Sequence, residues 1–230
     1  MQAPYSDGRL HARPALLRKL AHERHAPPQP GTHQLTFPDD RKALLYAPPG
    51  DEGAMLPLLV LLHGAGGQHG GADNIALAYA ERYGSLLLVP DALSTSWDVL
   101  RGGYGPDLDF LDRLLLWTMQ HYEVDEHAVA IAGFSDGASY ALSVGLMNGD
   151  LFSDILAFSP GFIAPLRRHS WPRIFISHGR SDPVLSVDLG RGIAHRLTGE
   201  SYDVRYEEFD GAHTVPPPIA NGALRRLTAG

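Results

Sequence analysis

The run Leu-Pro-Leu-Leu-Val-Leu-Leu at 56–62 has no polar residue to turn toward water. A strand with one wet face alternates apolar and polar residues, so an unbroken run this short reads as a strand covered on both faces. Such strands belong to parallel sheets, and parallel neighbours need crossover connections, usually helical. The chain supplies them. Helical spacing at 72–83 ends at Gly84, and a second buried strand follows at 85–90. Residues 107–122 place Leu108, Leu111, Leu115 and Met119 on one helical face. Strands are then expected at 129–132, 155–158, 173–177 and 203–208, with helices at 138–147 and 187–197, and 219–227 closing the chain. Ahead of this alternation, 33–37 and 43–47 form a hairpin about Pro38-Asp39-Asp40-Arg41. The expected fold is α/β: a doubly wound, mostly parallel sheet with an antiparallel edge hairpin.

Residues 1–31 read as an N-terminal arm and linker packed on the outside, with a short helix over 15–25 ended by Pro27-Pro28-Gln29-Pro30-Gly31. Residues 32–230 read as one catalytic domain. A formal net charge of -7 argues against a nucleic-acid partner, which calls for clustered Lys and Arg. The absence of cysteine excludes disulfides and a thiolate nucleophile. Residues 1–14 carry Asp7, Arg9, His11 and Arg13 and no apolar leader, and no apolar run approaches a membrane span, so a cytoplasmic protein is expected.

The chemistry concentrates in three motifs. Gly133-Phe134-Ser135-Asp136-Gly137 matches G-x-S-x-G and lies between a short apolar strand and a small-residue helix. That turn is sharp enough to strain the serine backbone, and glycines on either side let neighbouring chain approach. Ser135 would project above the sheet beside a helix N-terminus. His63-Gly64-Ala65-Gly66-Gly67 directly follows the first buried strand, where small residues can aim N–H groups at a substrate carbonyl. The expected oxyanion donors are the backbone amides of Ala65 and Asp136. A dinucleotide-binding reading of this turn fails, because the third glycine of G-x-G-x-x-G falls on His69.

Asp182, in Ser177-His178-Gly179-Arg180-Ser181-Asp182-Pro183-Val184, sits past a strand's carboxyl end, where α/β ligand sites form. His213 is the one histidine after the last strand. The order Ser135, Asp182, His213 suits a triad in which His213 moves the Ser135 proton and Asp182 fixes the imidazole. Asp210 suits a turn, Asp154 and Asp188 suit caps or solvated positions, and His63 suits a shaping role in the oxyanion turn. His178 is expected to be structural or exposed. Twelve histidines invite a metal, yet no H-E-x-x-H or paired ligand spacing appears, so neither a metal nor a cofactor is expected.

These three motifs resemble the phospholipase/carboxylesterase branch of the α/β hydrolases, itself related to dienelactone hydrolases and polyhydroxyalkanoate-depolymerase-like esterases. The resemblance covers about residues 33–229. It implies a serine hydrolase acting on small or medium acyl esters, with acyl-thioesters as the adjacent chemistry, and it is compatible with a homodimer. A hydrolase fold used only for binding is the alternative from another class. Many relatives carry Gln, Met or His after the nucleophile, whereas this chain has Asp136. Its carboxylate either faces the oxyanion or turns away to cap a turn. Trp97 and Tyr104 are candidates to line an acyl or aromatic pocket, with Trp97 alternatively packing on its own loop, and Phe162 is a further pocket candidate.

Overall fold

A computed structural model describes residues 7–13, 25–50, 53–67 and 70–228. The helix expected over 15–25 falls almost wholly outside these residues. Among these residues eight strands form one sheet: β1 (Gly31–Thr36), β2 (Lys42–Ala47), β3 (Met55–Leu62), β4 (Leu86–Pro90), β5 (Glu123–Phe134), β6 (Asp154–Phe158), β7 (Arg173–Gly179) and β8 (Val204–Phe209). Their order is β1-β2-β4-β3-β5-β6-β7-β8. β1 pairs antiparallel with β2, β2 antiparallel with β4, and every other pairing is parallel. The helices are α1 (Ala72–Tyr83), α2 (Pro106–His121), α3 (Asp136–Met147), α4 (Val187–Gly199) and α5 (Pro217–Leu224).

The apolar runs are explained by cover on both faces. Leu58, Val60 and Leu62 of β3 pack with α2, α3 and α4 on one side. Leu59 and Leu61 pack with α1 and α5 on the other. Because β4 lies on one flank of β3 and β5 on the other, the chain reverses its winding at β3. A crevice opens at such a reversal, beyond the strands' carboxyl ends.

β5 starts six residues before the expected strand, at Glu123. Its first residues, Glu123 and Val124, pair with Met55 and Leu56, after which the register shifts at Pro57 and resumes at Leu58–Val129. Proline has no N–H to give the ladder, so an irregularity there is expected. Two short 3₁₀ turns, Ala65–Gly67 and Asp98–Arg101, also went unforeseen.

Residues 7–13, expected within a peripheral arm, are built into the body instead. Leu10 and Ala12 are buried in the core beside α2 and α3. The Asp112 carboxylate accepts from the His11 and Ala12 N–H groups at 2.7 and 2.9 Å. Asn148 accepts from the Leu10 N–H at 3.0 Å and donates to the Gly8 carbonyl at 3.0 Å. Two buried side chains thus satisfy the segment's backbone in place of a strand partner. Asp154, expected as a cap or solvated, is buried and receives Arg173 through two hydrogen bonds of 2.9 Å. No described helix is long and apolar enough to cross a membrane.

Candidate active site

Ser135 directly follows β5 and caps α3 with φ 57° and ψ −119°, a strained conformation for a residue with a side chain. Its N–H is tied to the Phe158 carbonyl at 2.9 Å. The flanking glycines permit the turn. A Cβ on Gly133 would stand 2.2 Å from the Gly137 carbonyl oxygen, and one on Gly137 would stand 2.3 Å from that of Leu62. Both obstacles are backbone and cannot swing aside. The second contact also shows why the two halves of the site meet, since α3 begins against the end of β3.

Asp182 and His213 lie past the carboxyl ends of β7 and β8. Ser135 Oγ is 2.9 Å from His213 Nε2, and His213 Nδ1 is 2.6 Å from Asp182 Oδ2. The structure therefore brings together all three residues expected from the sequence. Asp182 Oδ1 accepts from the Val184 and Leu185 N–H groups at 2.8 and 2.9 Å. Burial works against the charge of this carboxylate, but the Leu185 amide, His213 and the Val184 amide outweigh it and hold its pKa below the ordinary value. The Phe134 ring backs the imidazole at 4.6 Å between centroids. Beyond His213, Thr214 Oγ1 and the Val215 N–H both donate to the Gly70 carbonyl.

His178, expected to be structural or exposed, is fully buried against the acid. Its Nε2 donates to the Leu185 carbonyl at 2.9 Å and lies 3.3 Å from Asp182 Oδ2. Its Nδ1 has no hydrogen-bond partner among the described residues and faces Gly190, where a Cβ would come within 2.6 Å. The spacing of His178 and Asp182 carried this signal, since four residues fit the two sides of one tight loop.

The Asp182 and His213 loops are joined from outside by Glu208. It accepts from Arg191 Nε at 2.6 Å and from Arg180 Nε at 3.2 Å. The Arg191 hydrogen bond is foremost in holding the Glu208 carboxyl at about 2, against an ordinary 4.5. A depressed pKa stabilises the fold above the unfolded value and loses that effect as pH falls through the folded one. Glu208→Gln is therefore expected to melt below wild type at pH 7, with the gap in Tm closing between about pH 4.5 and pH 2. A gap independent of pH over that range would contradict this account of Glu208. Asp210, expected in a turn, pairs with Arg180 at 2.6 Å.

In the 63–67 turn, expected to supply an oxyanion donor, the Gly66 N–H is spent on the Thr95 carbonyl at 2.6 Å and the Gly67 N–H reaches Gly64 at 3.2 Å. The His63 ring accepts from the Ala92 N–H through Nε2 at 2.9 Å, which leaves Nδ1 to donate to the Gly64 carbonyl at 2.7 Å. Asp136 turns its carboxylate onto the Ser96 hydroxyl, 2.7 Å away.

Trp97 requires a correction as a pocket residue. It is 1% exposed, stacks on Tyr140 at 5.0 Å and donates its indole N–H to the His63 carbonyl at 2.8 Å. The ring's polar edge is used to brace the turn, and its faces are covered. Tyr104 remains partly exposed, with its hydroxyl on the Ala164 carbonyl at 2.7 Å. Burial pushes the Tyr104 phenol up to about 12, so it stays a neutral donor. Phe162, also partly exposed, is held through its N–H by Ser139 Oγ at 3.3 Å. Tyr104 is thus tied to the segment that carries Phe162.

The profile of the Esterase family, described as putative esterase, matches residues 108–191. That stretch includes Ser135 and Asp182 and stops short of His213. Among solved structures, a thermostable esterase superposes with a TM-score of 0.69 at 20% identity over 86% of this chain. This chain spans only 62% of that esterase's length. The fold is that of the α/β hydrolases. An S-formylglutathione hydrolase from Staphylococcus aureus matches this chain with a TM-score of 0.67 at 15% identity, over 89% of this chain and 99% of its own. A ferulic acid esterase from Anaeromyces mucronatus matches with a TM-score of 0.64 at 17% identity, over 86% and 90% respectively. No curated protein matches the chain in sequence.

Proposed function

We propose that this chain is a serine carboxylesterase acting on small or medium acyl esters through an acyl-enzyme. The observation that carries the reading is the unbroken relay from Ser135 Oγ through His213 to Asp182, with steps of 2.9 and 2.6 Å. Such a relay makes a serine hydroxyl nucleophilic by giving its proton somewhere to go. Ser135 Oγ attacks the ester carbonyl carbon while His213 Nε2 takes the hydroxyl proton. The Ala65 and Asp136 N–H groups face the oxygen that gains charge. Collapse breaks the bond to the alcohol, which leaves with the proton from His213. Water then repeats the sequence on the acyl-Ser135 and releases the acid. Asp182, its pKa held low, remains charged and stabilises the imidazolium throughout.

Tyr104 and Phe162, aromatic and partly exposed, support an apolar acyl or aromatic group as the substrate's body. Thioesters are the adjacent reading, favoured by the likeness to an S-formylglutathione hydrolase. The test is a series of p-nitrophenyl esters of graded acyl length beside matched acyl-thioesters. Ester turnover with an optimum at short or medium chains supports the proposal. Turnover of thioesters alone would transfer the same machinery to thioester chemistry, and inertness toward both would point to a fold used for binding.

A further inference from the structure

Three consecutive residues of the β4–α2 connection each make one hydrogen bond to a segment that carries an oxyanion donor. The Thr95 carbonyl accepts the Gly66 N–H at 2.6 Å. The Ser96 hydroxyl donates to Asp136 Oδ2 at 2.7 Å. The Trp97 indole N–H donates to the His63 carbonyl at 2.8 Å. Ala65 lies between His63 and Gly66, so its amide is held on both sides. Asp136 supplies the second amide from the first turn of α3. We infer that residues 95–97 form a clamp that sets the spacing of the two oxyanion amides, with Ser96 as the positioning residue that joins it to α3. The inference rests on the esterase reading above.

The physical case has two parts. Oxyanion stabilisation depends on donors fixed in place before charge develops. The Ala65 turn has no strand ladder to hold it, because β3 ends at Leu62. Left to itself, a turn of small residues such as Gly64-Ala65-Gly66-Gly67 would sample many conformations. Gly66 and Gly67 both have positive φ, so the turn depends on outside bonds to stay in register. The second part concerns charge. A carboxylate one residue past the nucleophile opposes negative charge building nearby. Its bond to Ser96 turns it onto the clamp, so the side chain that would disfavour the oxyanion becomes the anchor of the device. Trp97 in turn is immobilised by Tyr140, stacked 15° from parallel.

The experiment compares Ser96→Ala and Ser96→Thr with wild type on a p-nitrophenyl ester. Ser96→Ala is expected to lower kcat by about 10- to 100-fold with KM within a factor of two, since misplacement of a catalytic group costs on that scale. Ser96→Thr retains the hydroxyl and is expected to stay within about threefold of wild-type kcat. Inhibition by a trifluoromethyl ketone, which presents an oxyanion to the site, should weaken in Ser96→Ala in proportion to kcat. Asp136→Ala and the double variant complete a cycle. A shared role predicts that the double variant costs no more than the worse single one. Overturning results are a Ser96→Ala kcat within twofold of wild type, or a loss of Tm with kcat and ketone affinity intact, which would make the bond purely structural. Inert wild-type protein would instead defeat the esterase reading itself, so the two failures are distinguishable.

Discussion

Replacing Ser135 with alanine is expected to lower kcat on any ester the protein turns over by about 10⁴- to 10⁶-fold, with little change in KM. The residue supplies the only atom that bonds covalently to substrate in the proposed mechanism. What survives would come from the two amides and from substrate binding. Stability should hardly move. Among the described residues Ser135 Oγ makes one hydrogen bond, to His213, and that imidazole keeps its bond to Asp182. Alanine bears the same positive φ that serine does, so the strain of the elbow is common to both. A melting curve run beside the kinetics therefore separates loss of chemistry from loss of fold. Activity retained within tenfold of wild type would remove Ser135 from the mechanism.

Arg41→Ala should unfold the protein at markedly lower temperature while leaving the triad residues themselves untouched. Arg41 is buried where the β1–β2 hairpin meets the start of α2. Its guanidinium donates to the Pro106 and Asp91 carbonyls at 3.0 and 2.9 Å and to Asp107 Oδ1 at 2.8 Å, and it lies 4.2 Å over the Phe110 ring. Asp107 has no solvent exposure at all, and its remaining cation is Arg101 at 3.3 Å. Removing one partner of a buried pair strands the other, at a cost of about 3–5 kcal/mol. For a domain of this size that corresponds to roughly 10 °C in Tm. Lysine at this position should not restore it, because one ammonium cannot reproduce the planar fork that meets three acceptors. A shift below about 2 °C would mean that solvent or Arg101 compensates Asp107.

Reading the strands was straightforward where both faces of the sheet are covered, because there the sequence has no polar residues to offer. It failed at the start of β5, where Asp125-Glu126-His127 precedes Val129 and the strand runs out past the covering helices into water. The meeting of Ser135, Asp182 and His213 was legible because the proposed chemistry restricts residue type and the fold restricts chain order. His178 was legible only as structural or exposed, since the four-residue spacing that sets it against Asp182 is common to any tight loop and does not mark it out. Trp97 misled for a related reason: an aromatic on the catalytic rim can face the substrate or brace the turn beneath it. The indole N–H, which needs an acceptor when buried, found one in His63 and settled the matter. Residues 7–13 carry no regular pattern of their own, and their burial depends on Asp112 and Asn148 far along the chain.

The central claim, that Ser135 is an activated nucleophile, is tested most directly by labelling the protein with a fluorophosphonate and mapping the adduct by peptide mass spectrometry. The account predicts one phosphonyl group per chain, on Ser135, with esterase activity lost in step with labelling and no labelling of Ser135→Ala. An adduct on another residue, or hydrolysis that continues after Ser135 is fully modified, would contradict it.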